Sequence, residues 1–307
     1  MIYTVTLNPA IDYTIHADKF QLNAINRSTA ENISFGGKGV NVSTILKELG
    51  VSSTALGFIA GFTGDAIEKG LKEQAIETDF VRLEKGLTRI NIKIRSDDET
   101  DLNGQGPDID GKALDMLFEK LDKISDGDTI VLAGSIPHSL SDDIYEKILE
   151  KLQGRNVRTV VDATKNLLVN TLKYKPFLIK PNDIELGEIF GGFPKSAEDV
   201  AEYAGKLQEW GARNVLVSMA EKGALLLDEN GDTHLCGVCR GVVKNSVGAG
   251  DSMVAGFLAG FDRGGYEYAL KLGTAAGGAT AFSEGLAEKE LIEELFAQLY
   301  TNAHFDS

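Results

Sequence analysis

A glycine-rich turn that ends in an acid combines the residue types needed for phosphate chemistry. It covers residues 245–251 with the sequence NSVGAGD, and an apolar run follows at once over residues 252–261. Small residues let backbone N–H groups approach an anion closely, and the N-terminus of the following helix adds its dipole and unpaired donors. Phosphate binding alone does not explain an acid at position 251, because the carboxylate would repel phosphate. A reaction that removes a proton beside a phosphoryl group does explain it.

A second glycine-rich segment near the N-terminus favours a polar ligand. Residues 35–41 read FGGKGVN, without the GxxxxGK[ST] spacing of a Walker A loop and without a GxGxxG pattern after a strand. Its glycines allow a ligand to approach the backbone just before a predicted helix, and Lys38 and Asn41 offer hydrogen-bond donors. This mixture suits a ligand with several hydroxyl groups, such as a sugar. A glycine-rich turn with a helix cap remains the alternative.

Three charged residues in the N-terminal third are further candidates. Asp12 lies just past the first predicted strand, where an acid is ordinarily a turn or capping residue. Arg89 and Lys93 alternate with isoleucines, which places both cations on one face of a strand. That face is either simply solvated or, in so acidic a protein, a place to hold a phosphate group.

The segment KPNDIE over residues 180–185 has two interpretations. Asn182 fits an N-cap with Glu185 at the third helical position, and capping alone explains the pair. The same two residues could hold the water shell of a magnesium ion beside nucleotide phosphates. Their spacing does not separate these interpretations.

The elements that must position these residues alternate between strand and helix patterns. The periodicity predicts strands over 2–7, 54–59, 129–133, 159–161, 177–179 and 214–218, a hairpin over 224–228 and 233–235, and helices over 40–49, 65–74, 111–123, 141–152, 182–190, 197–210, 249–262, 266–282 and 288–300. Such alternation indicates an α/β sheet with helices on both faces. Residues 11–34 and 89–103 break it with short polar strands. We expect one domain over residues 1–307, with these two segments forming a lid over a cleft.

Composition excludes several classes of function. The formal net charge is −15 and the pI about 4.8, so nonspecific binding to nucleic acid or to an anionic membrane is not expected. No signal-peptide pattern and no apolar run of membrane-spanning length are visible, and we expect a cytoplasmic protein. Cys236 and Cys239 form a lone CxxC with His234 nearby, and we expect two reduced, partly buried thiols rather than a redox or zinc site.

Together the two glycine-rich motifs resemble the paired signatures of the phosphofructokinase B family of ribokinase-like sugar kinases. The matching segments are GGKGVNVS over residues 36–43 and NSVGAGDS over residues 245–252, and the resemblance runs from Thr6 to about Leu286. It implies an α/β fold, namely a ribokinase-like three-layer α/β/α sandwich with a small β-sheet lid. It also implies ATP and Mg²⁺ as cofactors and a homodimer formed through the lid.

The resemblance implies a role for each matching residue. Asp251 would be the general base, and the backbone amides of Ala249, Gly250 and Asp251, following Gly248, would form an anion hole. The sugar hydroxyls would be bound by Asp12, Gly37 and Asn41, and a phosphate on the sugar by Arg27, Arg89 and Lys38, with Ser135 nearby. The nucleotide would be bound by Lys180, Asn182, Ser218, Glu221, Gly223, Gly248 and Gly250, and Glu185 would hold Mg²⁺ through water.

The positively charged side chains indicate which kind of sugar is the substrate. Arg27, Arg89 and Lys93 together favour a sugar monophosphate over a neutral sugar, and residues 99–107 look like the lid exit of the bacterial branch that acts on fructose 1-phosphate. We therefore expect ATP-dependent phosphorylation of fructose 1-phosphate to fructose 1,6-bisphosphate. Conversion of tagatose 6-phosphate to tagatose 1,6-bisphosphate is the alternative. A catalytically idle sensor of sugar phosphate or nucleotide is the alternative from another class, and the presence of Asp251 argues against it.

Overall fold

Two β-sheets and nine α-helices make up the part of the chain that the computed structural model describes, residues 1–302. The strands are β1 (Ile2–Thr6), β2 (Ala10–His16), β3 (Ala30–Gly36), β4 (Ser53–Ala60), β5 (Glu77–Thr78), β6 (Val81–Leu83), β7 (Arg89–Arg95), β8 (Glu99–Leu102), β9 (Thr129–Ala133), β10 (Arg158–Asp162), β11 (Leu178–Ile179), β12 (Asn214–Ser218), β13 (Ala224–Leu227) and β14 (Thr233–Cys236). The α-helices are α1 (Lys38–Glu48), α2 (Gly61–Glu73), α3 (Gly111–Leu121), α4 (Ile144–Lys151), α5 (Lys165–Val169), α6 (Asp183–Phe190), α7 (Ala197–Glu209), α8 (Ala249–Ala281) and α9 (Lys289–Asn302).

The larger sheet is parallel in its centre. Its order is β14-β13-β12-β11-β10-β9-β1-β4-β5, and β6 also pairs with β4. The strands from β12 to β5 run parallel, whereas β13 and β14 close one edge as antiparallel strands. The carboxyl ends of β1, β9, β10, β11 and β12 therefore meet at one edge, which is where open α/β sheets bind their ligands.

Helices cover both faces of this sheet because its central strands are apolar on both sides. In β9, Ile130 and Leu132 point into the cluster beneath α3, α4, α6 and α7, whereas Val131 points into the cluster beneath α1, α8 and α9. The strand–helix alternation of the sequence is thus realised with shifts of a few residues at the ends. The two helices expected over 249–262 and 266–282 are both present: α8 is interrupted at Gly264 and Gly265, whose backbone angles are not helical.

The smaller sheet, called the lid below, consists of β3, β2, β7 and β8 in that order. Its strands come from the two polar segments that interrupt the alternation. In register, Tyr13 pairs with Ile33 and Ile92, and Ile92 pairs with Leu102, so these four side chains share one face. This is the apolar face of the lid, and Ile33 and Leu102 are 59% and 66% exposed.

The opposite face of the lid carries polar side chains. Asp12 pairs with Asn91 on this face, and Asn91 is buried. Only 13% of the Lys93 side chain is exposed. The interpretation of this face as simply solvated is therefore wrong, because its polar groups contact one another instead of water.

The two cysteines are free and buried. Burial raises the pKa of the Cys239 thiol to about 12, which keeps it unreactive at neutral pH. Across residues 1–302, no helix is both long and apolar enough to cross a membrane.

Candidate active site

Asp251 lies in the first turn of α8, at the edge where the carboxyl ends of the parallel strands meet. Its side chain is buried, and its Oδ2 accepts a hydrogen bond of 2.7 Å from Asn41 Nδ2 on α1. Burial raises the pKa of Asp251 to about 7; the charge of Asp162 adds to this rise, and Lys38, Asn41 and Lys180 oppose it. A carboxyl group with a pKa near neutrality can accept a proton and release it again at physiological pH.

The turn before Asp251 provides backbone donors. Gly248 is the N-cap of α8 with φ 82°, a left-handed conformation that favours glycine. The N–H of Ala249 donates to Ser246 O at 3.2 Å, so it closes the turn. The N–H groups of Gly250 and Asp251 belong to the first turn of the helix and have no acceptor within it. The anion hole expected from the amides of Ala249, Gly250 and Asp251 remains a prediction, and in this conformation the N–H of Ala249 already has an acceptor within the turn.

A cluster of four buried or half-buried charges lies beneath that turn. Asp162, the last residue of β10, places its Oδ1 3.1 Å from Lys38 Nζ and 3.7 Å from Lys180 Nζ. Lys180 follows β11, and its Nζ lies 3.0 Å from the position that a Cβ on Gly250 would occupy. The two ammonium groups therefore lie close to the base and to the anion-binding turn.

The protonation of this cluster follows from its charges. Burial alone would raise the pKa of Asp162, but Lys180 and Lys38 outweigh it, and the pKa lies below its ordinary value. Burial alone would lower the pKa of Lys38, but Asp162 and Asp251 raise it above its ordinary value. Asp162 and Lys38 are therefore charged at neutral pH, whereas Asp251 is the group that titrates there.

Asp12 is held in place from the lid. Its Oδ1 accepts a 2.8 Å hydrogen bond from Asn91 Nδ2, and its Oδ2 lies 3.5 Å from Lys93 Nζ. A Cβ on Gly36 would come within 2.5 Å of Asp12 Oδ2, so glycine is needed there for this carboxylate to fit. Asn91 in turn accepts from the N–H of Gly104, where the chain leaves the lid. Asp12 is thus a positioned carboxylate rather than a turn or capping residue.

Gly37 and Arg89 also have defined conformations. Gly37 has φ 117°, and a Cβ there would lie 2.5 Å from Thr6 Cγ2, so the approach of the turn to β1 requires glycine. The Nε of Arg89 donates to Asn8 O at 3.1 Å. Burial lowers the pKa of Arg89, but the group keeps its charge because an arginine pKa lies far above neutrality.

Arg27 and Ser135 are exposed. Arg27 lies in residues 17–29, which join β2 to β3 beyond the His16–Ala30 pair, whereas Asp12 pairs with Ser34 four residues closer to the body. The role of Arg27 in binding a phosphate group remains a prediction.

The nucleotide-binding candidates lie at the ends of β11 and β12. Asn182 bridges to Ser218, so these two polar residues are neighbours on adjacent strands. Gly223 has φ 87°, and a Cβ there would come within 2.1 Å of Cys236 O. Glu221 is exposed and lies in the short 3₁₀ turn between Ser218 and Gly223.

Asn182 and Glu185 form the capping box that the sequence allowed. Asn182 Oδ1 accepts from Glu185 N at 2.7 Å, and Glu185 Oε2 accepts from Asn182 N at 2.9 Å. Glu185 Oε1 is left to accept from a metal-bound water. No group of three or more His, Cys, Asp or Glu side chains in residues 1–302 is arranged to hold a metal. The carboxylate oxygen of Glu185 outside the capping box fits Mg²⁺, which keeps several waters and uses few protein carboxylates together with substrate phosphates.

A titrating carboxylate beside an anion-binding turn, facing a polar lid, is the arrangement expected for a sugar kinase. The family profile described as pfkB family carbohydrate kinase matches residues 5–292. The chain belongs to this family. The resemblance inferred from the two motifs is therefore confirmed, as is the class of enzyme, an ATP-dependent sugar-phosphate kinase.

The relatives agree with this assignment. The chain is 47% identical to a 1-phosphofructokinase of Bacillus subtilis, over 97% of this chain and 98% of the relative. It is 37% identical to a D-tagatose-1-phosphate kinase of Bacillus licheniformis, over 97% and 98%. A solved structure described as a putative phosphofructokinase from Staphylococcus aureus superposes with a TM-score of 0.87 at 40% identity, covering 97% of each chain. The expected three-layer α/β/α fold is thus confirmed.

Sequence reasoning missed two residues of the site. Asp162 ends a buried strand with the sequence RTVVD, and an acid after such a run at the carboxyl edge was the available signal. Asn91 stands between Arg89 and Lys93 on the polar face of β7, but its pattern alone does not separate it from an exposed strand residue. The roles assigned to the individual site residues remain predictions.

Proposed function

We propose that this protein transfers the γ-phosphoryl group of ATP to fructose 1-phosphate, giving fructose 1,6-bisphosphate and ADP. The observation that carries the proposal is the buried Asp251, with a pKa near 7, next to the backbone donors of Gly250 and Asp251. The similarity to the Bacillus subtilis relative supports fructose 1-phosphate as the acceptor.

In the proposed reaction, Asp251 accepts the proton of the C6 hydroxyl as that oxygen attacks the γ-phosphorus. A new O–P bond forms, the bond between the γ-phosphorus and the bridging oxygen breaks, and ADP leaves. Asn41 holds the carboxylate in place through its 2.7 Å hydrogen bond. The amides of Gly250 and Asp251 stabilise the charge that develops on the transferred group.

Residues on the lid side of the cleft orient the substrate. Asp12 binds sugar hydroxyls, because Asn91 and Lys93 hold its carboxylate in one orientation. Arg89 binds the phosphate already on the sugar. Closure of the lid over the sugar excludes water and so limits wasteful hydrolysis of ATP.

Mg²⁺ is the metal we expect, held by Glu185 through water next to the nucleotide bound by Lys180, Asn182 and Ser218. When bound, Mg²⁺ neutralises charge on the phosphate oxygens. The side chain of Glu185 supports this role, since the capping box fixes its position and leaves one carboxylate oxygen for a water ligand.

A tagatose phosphate is the second candidate acceptor. The Bacillus licheniformis relative is named for tagatose 1-phosphate, which differs from fructose 1-phosphate only in the configuration at C4. The sequence suggested tagatose 6-phosphate instead. The test is the rate of ADP release with fructose 1-phosphate, fructose 6-phosphate, tagatose 1-phosphate and tagatose 6-phosphate, with Asp251→Asn as the background control. The largest kcat/KM is expected for fructose 1-phosphate, and a larger value for either tagatose phosphate would overturn the choice.

A homodimer through the apolar face of the lid is the assembly we propose. Ile33, Ile92 and Leu102 share this face, and two of them are more than half exposed. A second copy would bury these side chains, and an uncovered apolar sheet face is unusual in a monomer. A cytoplasmic location also remains a proposal, which cell fractionation would test.

A further inference from the structure

The side chain of Asp162 lies among ionisable side chains of the candidate site. Its contacts within residues 1–302 are with ionisable side chains of the site: Oδ1 lies near Lys38 Nζ and Lys180 Nζ, and Asp251 lies next to it. In the part of the chain that the structure describes, its carboxylate accepts no hydrogen bond from a backbone N–H group. The backbone of the same residue does the structural work, since its C=O accepts from Gly134 N.

One oxygen of Asp162 has no hydrogen-bond donor. Its Oδ2 is one of two buried side-chain N or O atoms without a partner in the described residues, and the side chain is 1% exposed. Leaving a buried carboxylate oxygen unpaired is unfavourable, so its retention calls for an explanation. Asp251 is the neighbouring side chain that can carry a proton, so its protonated carboxyl group is a donor available to Asp162.

The four charges of this cluster are balanced. Asp162 and an ionised Asp251 carry two negative charges, and Lys38 and Lys180 carry two positive ones. They come from β10, α8, α1 and the end of β11, so the sheet and the helices that pack on it each contribute. Asn41 is the neutral partner of Asp251, and the charge of Glu185 on α6 also acts on Lys38.

We propose that Asp162 is a positioning residue for the phosphoryl transfer: it anchors Lys38 and Lys180 beside the anion-binding turn and presents its second oxygen to the base Asp251. The proposal rests on the proposed role of Asp251. Anchored ammonium groups stabilise the transferred phosphoryl group without moving, which is the condition under which charge stabilises a transition state most. Without Asp162, Lys180 loses its buried counterion, and both lysines lose the group that holds them.

The first test is the pH profile of kcat/KM for Asp162→Asn. We expect kcat to fall about a hundredfold with a smaller change in KM, because the anchored charges act in the transition state. The acidic limb should move to lower pH by about one unit, because Asp251 has lost an anionic neighbour. Lys180→Met removes a cation instead, so its acidic limb should move to higher pH. The phosphate of the sugar titrates equally with every variant and cancels in the comparison.

The matched control is Asp228→Asn. Asp228 is equally buried, but its carboxylate accepts from the backbone of Asn230 and Asp232 and pairs with His234, so it stabilises a hairpin. Its substitution should lower stability and leave the pH profile in place. If Asp162→Asn behaves like Asp228→Asn, or keeps kcat within about twofold of the wild type, the proposal is wrong.

A second measurement needs no sugar. In the wild type, the pKa of Asp251 is higher in the folded than in the unfolded chain, so the free energy of unfolding should decrease from pH 5 to pH 8. Urea unfolding of the ligand-free protein should show a smaller decrease for Asp162→Asn and the smallest for Asp251→Asn. Equal decreases in the wild type and in Asp162→Asn would refute the proposed role of Asp162, whatever the activity of the protein. The proposed function would be refuted by a different result, namely that the wild-type protein phosphorylates none of the four sugars.

Discussion

The activity of this kinase should rise with pH across neutrality, since Asp251 must be ionised to accept the proton of the sugar hydroxyl. Its pKa is about 7, because burial and the charge of Asp162 disfavour the ionised form. At a pKa of 7, about 9% of the group is ionised at pH 6 and about 91% at pH 8. The value of kcat/KM for sugar phosphate should therefore increase about tenfold between these pH values.

The assay must separate the ionisation of Asp251 from the ionisation of the sugar phosphate. A sugar phosphate loses its second proton near pH 6, so part of the rise below pH 7 belongs to the sugar. Above pH 7 the substrate is almost fully dianionic, and Asp251 alone should double kcat/KM, from about half ionised at pH 7 to about 97% ionised at pH 8.5. Initial rates of ADP release at saturating ATP and Mg²⁺ measure this change. A profile that is flat or falling from pH 7 to 8.5, in protein that stays folded, would refute the assignment of a neutral-range base.

Three further substitutions test the site, the turn before α1 and the lid. Asp251→Asn should reduce kcat about a thousandfold while calorimetry still detects binding of ATP and of sugar phosphate, and near-normal turnover would disprove its role as base. Gly37→Ala should lower the free energy of unfolding by about 2 kcal/mol more than the control Gly50→Ala. Both glycines have a positive φ, but only at Gly37 would the added Cβ collide with a side chain. Equal midpoints of urea unfolding for the two variants would contradict this. Ile33→Glu should convert the dimer to a monomer in sedimentation experiments, whereas Met116→Glu, on the exposed side of α3, should not. A chain that is monomeric before any substitution would remove the proposed lid interface.

Much of the fold could be predicted from local patterns, because each pattern reports on its own segment. The alternation of apolar runs predicted most strands and helices of the large sheet to within a few residues, but not the short strands β5 and β6 or the short helix α5. Glycines at positions such as Gly37 and Gly248 are required by positive φ angles, which are properties of the individual turns. The boundaries were less accurate, as in α2, which begins at Gly61 rather than at residue 65.

The sequence by itself determined the family and indicated the candidate base and the two glycine-rich turns, since these depend on short motifs. The tertiary structure decided which distant side chains meet. Asn41 and Asp251 are 210 residues apart in the chain, and Lys38 and Asp162 are 124 apart. Their contacts depend on the strand order, which places the ends of β10 and β11 beside the first turns of α1 and α8. Sequence spacing carries no information on that order, so the counterion that holds the two lysines became visible only in the folded chain.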